Sequence, residues 1–209
     1  MAVSGHERTT MIQVQWGILC SCAMRSIPNA ITIFRIVVTP LLIVCLFRET
    51  MLSQSLAFVL FILGALSDFA DGYVARALKM QSRLGRFLDP MADKVLVLGT
   101  FFALAWLYPQ QVPWWAVGII ALRDVLVTAL RMIAEAGGRS LRTMRAAKAK
   151  TALQLVFLGL FLLLLVLRHI FSTGPFAGEL LEGWFMHGFI ILVVFVTGLT
   201  GLFYIQQKS

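Results

Sequence analysis

Charge is what this sequence has least of. Only 13% of its 209 residues are charged and 59% are hydrophobic, where a soluble domain carries roughly 25% charged and about 45–50% apolar residues. With a mean hydropathy of +0.87, a water-soluble domain of this length would have almost no polar skin. That excludes the soluble class and assigns the excess apolar surface to lipid. Cysteine is nearly absent too. Cys20, Cys22 and Cys45 lie in or beside apolar stretches, without the spacing of a disulfide framework or a zinc site. Acidic residues are the rarer charge, 10 against 18 Lys+Arg, for a net charge of +8. Because the basic residues punctuate hydrophobic spans and do not coat a polar face, the excess reads as basic loops beside anionic lipid and not as a nucleic-acid surface. Inter-domain linkers and internal repeats are also missing, so the chain reads as one domain.

What is present is a series of six hydrophobic stretches, near 30–48, 53–75, 88–107, 113–134, 151–170 and 187–205. Each approaches the roughly 20 residues a helix needs to cross the hydrocarbon core. The expected fold is therefore all-α, an integral membrane protein of six transmembrane helices. The loop between spans two and three carries Arg76, Lys79, Arg83 and Arg86, and that between spans four and five carries Arg139, Arg142, Arg145, Lys148 and Lys150. The other side has Arg48, Arg168 and the uncharged turn from Tyr108 to Pro113. The positive-inside rule puts both basic loops and both termini in the cytoplasm. Residues 1–23 lack the basic start, apolar core and cleavage site of a secretory signal. They read as an N-terminal extension, dispensable or the product of an upstream start codon, before a domain over 24–209.

Four of the ten acidic residues lie within 26 positions: Asp68, Asp71, Asp89 and Asp93. The i, i+3 and i, i+4 spacings put each pair on one helix face, at the cytoplasmic ends of spans two and three. A carboxylate near a bilayer must be paired, hydrated or coordinated. Four together repel one another unless divalent cations compensate. An all-oxygen donor set without His or Cys favours Mg²⁺, Mn²⁺ or Ca²⁺ over zinc. Spacing alone is equally consistent with salt bridges to Arg76, Arg83, Arg86 and Lys94.

The string Asp68-Phe-Ala-Asp71-Gly72-Tyr-Val-Ala75-Arg76, followed by Gly85, Asp89 and Asp93, resembles the signature of the CDP-alcohol phosphotransferases, with every fixed position filled. The resemblance implies six transmembrane helices, a CDP-linked lipid donor, and two divalent ions, Mg²⁺ or Mn²⁺. It implies that Asp68, Asp71 and Asp89 hold metal and that Asp93 both touches metal and accepts the proton of the attacking hydroxyl. Gly72, Arg76, Ser82 and Gly85 would line the CDP-diacylglycerol site. Glycine admits close approach, and the planar arginine fork suits a pyrophosphate. The segment Pro28-Asn29-Ala30-Ile31-Thr32-Ile33-Phe34-Arg35 resembles the entry to the first helix in the phosphatidylglycerophosphate synthase branch, where Asn29 and Thr32 would contact the donor.

For the acceptor, Arg123-Asp124 and Arg131 lie in span four, and Ala147-Lys148-Ala149-Lys150-Thr151-Ala-Leu-Gln154 opens span five. Arginines inside a span face a hydrated cavity or an anion. A neutral acceptor has no use for several cations, whereas one with its own phosphate does. Both stretches resemble those of the same branch, with Asp124 and Ala147 departing from its more usual Glu and Gly. Arg123, Arg131, Lys148 and Lys150 are thus candidates for the phosphate of glycerol 3-phosphate, the loop charges being otherwise explained by topology. The expected reaction is phosphatidyl transfer from CDP-diacylglycerol to glycerol 3-phosphate in phospholipid biosynthesis, giving phosphatidylglycerol phosphate and CMP. The setting would be a bacterial inner membrane with the site facing the cytoplasm; a homodimer is compatible with this. Rivals are relatives taking inositol phosphate, serine or phosphatidylglycerol, and, from another class, a cation transporter. A transporter would need polar residues along a through-path. Here the far halves of the spans, such as Leu160 to Leu167, are apolar.

Overall fold

In the computed structural model, residues 33–78, 85–136, 145–170 and 176–206 are described; for 68–78, 85–93, 131, 134–136, 145–149, 176–177 and 202–206 the description covers the backbone alone. All regular structure among them is helical. In chain order the helices are α1 (33–47), α2 (Met51–Leu78), α3 (Gly85–Leu107), α4 (Trp114–Ala136), α5 (Arg145–Ile170), α6 (Phe176–Glu182) and α7 (Trp184–Gln206). The six long helices coincide with the six hydrophobic stretches to within a few residues, except that α5 begins six residues early, at Arg145. The short α6 falls in a segment that reads from sequence as a break. Seven residues are too few to show a helical period, and Gly183 ends the helix where a Cβ would stand 2.3 Å from the Glu179 carbonyl.

Local chemistry sets the boundaries. α1 stops before Glu49, whose φ of 48° takes the left-handed conformation common just past a helix C-terminus. Thr50 then caps α2: its Oγ1 accepts from the Ser53 amide at 3.3 Å, while Ser53 Oγ accepts from the Thr50 amide at 3.2 Å. This is a capping box with serine in the usual glutamate position. Between α3 and α4 the Tyr108 carbonyl accepts from the amides of Gln111 (3.2 Å) and Val112 (2.9 Å), and Pro113 leads into Trp114.

α5 is the hub, packed against α2, α3, α6 and α7, while α4 bridges α3 and α7. Its aromatic spine joins Phe157 to Phe101 (centroids 5.8 Å apart) and Phe189 (5.3 Å), and Phe161 to Tyr108 (5.6 Å). Small residues let other helices close in. A Cβ on Gly99 of α3 would lie 3.0 Å from Thr39 of α1, and one on Gly64 of α2 would lie 2.9 Å from Leu96 of α3.

Large apolar side chains also cover much of the exterior. Ile33, Val37 and Val44 on α1, Leu52 and Leu66 on α2, Leu122 and Ile133 on α4, and Ile191 and Phe195 on α7 all face outward. An apolar surface of this extent matches hydrocarbon and not water. Among the described residues, Lys150–Ile170 and Trp184–Gly201 are long and apolar enough to cross a membrane; shorter apolar stretches cover Ile33–Phe47, Met51–Ser67 and Lys94–Leu107. Exposed Trp106, Trp114, Trp115 and Trp184 gather where the α3–α4 turn meets the start of α7. Tryptophans so grouped are characteristic of a membrane–water boundary.

Candidate functional site

Three cations reach one carboxylate from three helices. Asp124 of α4 is fully buried. Its Oδ1 accepts from Lys150 Nζ of α5 and, at 3.1 Å, from Arg123 Nη1. Its Oδ2 makes no hydrogen bond, but Lys94 Nζ of α3 stands 3.5 Å away as an ion-pair partner. A lone carboxylate at that depth would be very costly; the surrounding charges make it tolerable.

Helical geometry explains the convergence. The α4 register turns Asp124 toward α3 and α5, and Arg123, one residue earlier, reaches round to α7. There Arg123 Nη2 donates to Thr200 Oγ1 at 3.0 Å. Its Nε is buried without a hydrogen-bond partner. A Cβ on Gly201 would come within 2.9 Å of Arg123 Cγ, so the absence of a side chain there makes room for the arginine stem. One step along, buried Gln154 of α5 points Nε2 at Thr197 Oγ1 of α7, 3.5 Å away, and its Oε1 has no partner. The result is a buried polar patch built from α3, α4, α5 and α7. Arg123 and Lys150 bring two positive charges and share one carboxylate, so the patch retains positive charge and suits an anion.

Of the acceptor candidates, the structure brings Arg123 and Lys150 together. Arg131 lies on α4 and Lys148 on α5, but their side chains are outside the described set. Asn29, Thr32 and Ser82 lie outside the described residues altogether. Asp68, Asp71, Gly72 and Arg76 fall on the α2 backbone, and Gly85, Asp89 and Asp93 on that of α3, again without described side chains. The backbone register can still be followed. α2 and α3 pack together, and Gly64 meets Leu96. Asp68 follows Gly64 by one helical turn, and Asp93 precedes Leu96 by three residues. The antiparallel pair therefore carries both aspartate pairs toward the same end, where α2 finishes and α3 begins.

Sequence reasoning missed four contributors. The sequence presents Asp124 only as Arg123's neighbour and a departure from the branch's more usual Glu, Lys94 only as a salt-bridge candidate for the aspartates, and Thr197 and Thr200 not at all. The available signal was a carboxylate in mid-span, which demands a partner.

Comparison with known proteins bears on this chemistry. The family model described as CDP-alcohol phosphatidyltransferase matches residues 25–199. Curated relatives named CDP-diacylglycerol–glycerol-3-phosphate 3-phosphatidyltransferase include one from Cereibacter sphaeroides, 35% identical over 148 residues, covering 69% of this chain and 66% of the relative. One from Rickettsia typhi is 35% identical over 141 residues, covering 67% of this chain and 78% of the relative. One from Salmonella choleraesuis is 34% identical over 139 residues, covering 64% and 74%.

Proposed function

The chain belongs to the CDP-alcohol phosphatidyltransferase family, and we propose that it transfers a phosphatidyl group from CDP-diacylglycerol to glycerol 3-phosphate, releasing CMP. The observation that carries a phosphate-bearing acceptor is the buried cluster of Arg123, Lys150 and Lys94 around Asp124. A neutral alcohol needs no such cluster, whereas a phosphate monoester does. Relatives that bear the name of this activity support the same choice.

In this reading all six long helices cross a bacterial inner membrane, and the end bearing the aspartates and the cation cluster faces the cytoplasm. The basic loops support that orientation, and the tryptophans at the opposite end fit a membrane–water boundary there. Asp68, Asp71, Asp89 and Asp93 would hold two divalent ions, Mg²⁺ or Mn²⁺, which when bound neutralise the pyrophosphate and the charge on the attacking and leaving oxygens. Asn29, Thr32, Gly72, Arg76, Ser82 and Gly85 bind the donor head, and its acyl chains stay in the bilayer. Arg123 and Lys150, with Arg131 and Lys148, bind the acceptor phosphate and so orient its hydroxyl. Asp93 takes the hydroxyl proton as the oxygen attacks the lipid-side phosphorus. The bond from that phosphorus to the bridging oxygen breaks, and CMP leaves with the electron pair. No covalent protein intermediate is required.

The test is CMP release by purified protein given CDP-diacylglycerol and, in turn, glycerol 3-phosphate, inositol phosphate, serine and phosphatidylglycerol. Turnover is expected with glycerol 3-phosphate. Efficient use of serine with none of glycerol 3-phosphate would reject the acceptor.

A further inference from the structure

We propose that Thr200, on the last helix, is a positioning residue for the acceptor: its hydroxyl holds the Arg123 guanidinium where it meets the acceptor's phosphate. The proposal rests on the reading of the Arg123–Lys150 cluster as the acceptor-phosphate site.

Threonine in an apolar helix commonly satisfies its hydroxyl on its own backbone, as Thr39, Thr100 and Thr128 do on the carbonyls of Arg35, Leu96 and Asp124. Thr200 does this too, toward Val196 O at 3.0 Å and Thr197 O at 2.9 Å. With its single proton committed to the backbone, the oxygen is left as an acceptor. It uses that capacity across helices, taking a hydrogen bond from Arg123 Nη2 at 3.0 Å. The other terminal nitrogen, Nη1, is held by Asp124 Oδ1 at 3.1 Å. Fixing both terminal nitrogens fixes the plane of the guanidinium. Each still carries a second N–H, so the held group keeps donors for an incoming anion. An arginine ordered beforehand loses less freedom on binding, and that difference appears as affinity. Gly201 supports the same arrangement from beside Thr200, because a Cβ there would stand 2.9 Å from Arg123 Cγ, near the base of the side chain, where rotation cannot relieve the contact cheaply. The last helix, otherwise one of the most apolar in the chain, thus contributes a hydroxyl and an absent side chain to the cluster.

The experiment is steady-state kinetics on the full-length protein in detergent, with glycerol 3-phosphate and CDP-diacylglycerol varied independently and thermal melting measured alongside. Thr200→Val keeps the shape and removes the acceptor oxygen. It is expected to raise KM for glycerol 3-phosphate about ten-fold, as the guanidinium loses its fixed plane before binding, with KM for CDP-diacylglycerol unchanged and no more than a small fall in melting temperature from the lost cross-helix bond. Thr200→Ser should restore the wild-type value. Gly201→Ala should produce the same selective rise, and it stands in if Thr200→Val does not fold. Lys150→Gln separates the two ideas. If Lys150→Gln raises the acceptor KM while Thr200→Val and Gly201→Ala do not, the positioning role is wrong and the phosphate site stands. If Lys150→Gln also leaves it unchanged, the phosphate site is wrong and the proposal falls with it. Equal rises in both KM values with a lowered melting temperature would make Thr200 a purely structural residue and overturn the proposal.

Discussion

Around Asp124, cations from α3, α4 and α5 meet a carboxylate with no exposure to solvent, whereas at the opposite end Arg168 and Glu182, each more than half exposed, face one another across 3.9 Å. That end has other polar groups, yet they are fastened differently. His187 lies between two backbone carbonyls, those of Gly183 (3.1 Å from Nδ1) and Gln110 (2.9 Å from Nε2). Buried Gln54 reaches the Tyr108 hydroxyl at 3.5 Å and leaves its own oxygen without a partner. Side chains at the first end hold one another across helices and keep positive charge in a dry place. Those at the second end tie turns to helix starts. The first arrangement is costly to build and suits a ligand; the second secures loops at a membrane boundary.

The sharpest way to break this contrast is at the first end. Asp89→Asn or Asp71→Asn should reduce turnover to background while the protein remains folded, and EDTA should do the same to the wild type, reversed by Mg²⁺ or Mn²⁺. Full CMP release in the presence of chelator would remove the metal-dependent reading. Next in size is Asp124→Ala. Removing the shared counter-charge leaves buried cations uncompensated, which typically costs about 3–5 kcal/mol; a thermal melt in detergent should show a clear fall. An unchanged melt would mean that the cations are balanced by other groups.

At the second end the effects shrink. Gln54→Leu replaces a half-satisfied amide with an apolar side chain of similar length, and its stability should move by no more than about 1 kcal/mol in either direction. Smallest of all is Arg168→Gln, which removes an exposed ion pair worth roughly 0–1 kcal/mol and should leave both substrates' KM values unaltered. A kinetic effect from either variant would show that the two ends communicate.

How legible each end was from sequence follows from how it is built. The helices were readable because a stretch of about 20 apolar residues is a local signal, and each long helix lies where such a stretch does. The α6 turn was not, since Phe176–Glu182 is shorter than two helical periods and is bounded by glycine. The aspartate motif is a pattern on paper, and its side chains lie outside the described residues. The cluster around Asp124 shows the limit of sequence reading most clearly. Lys94, Arg123, Lys150 and Thr200 are separated by dozens of residues, and only the packing of α3, α4, α5 and α7 joins them. Arg123 and Lys150 were visible as cations in the wrong solvent. Nothing local indicated that one carboxylate held both, or that a hydroxyl from the final helix completed the arginine's environment.

The length of α2 has a consequence for depth. Its 28 residues extend about 42 Å at 1.5 Å per residue, well beyond the roughly 30 Å of a bilayer's hydrocarbon. The Thr50–Ser53 cap anchors the start of the helix beside the α3–α4 turn. If α2 spans the bilayer as proposed, Asp71, about 30 Å along the axis from there, lies level with the far headgroups. A lipid whose pyrophosphate already sits at that level could reach the aspartates without lifting its tails from the bilayer or drawing its charge down into oil. The helix would then act as a ruler, fixing the reactive height at the plane where a lipid-linked nucleotide and a water-borne phosphate can meet.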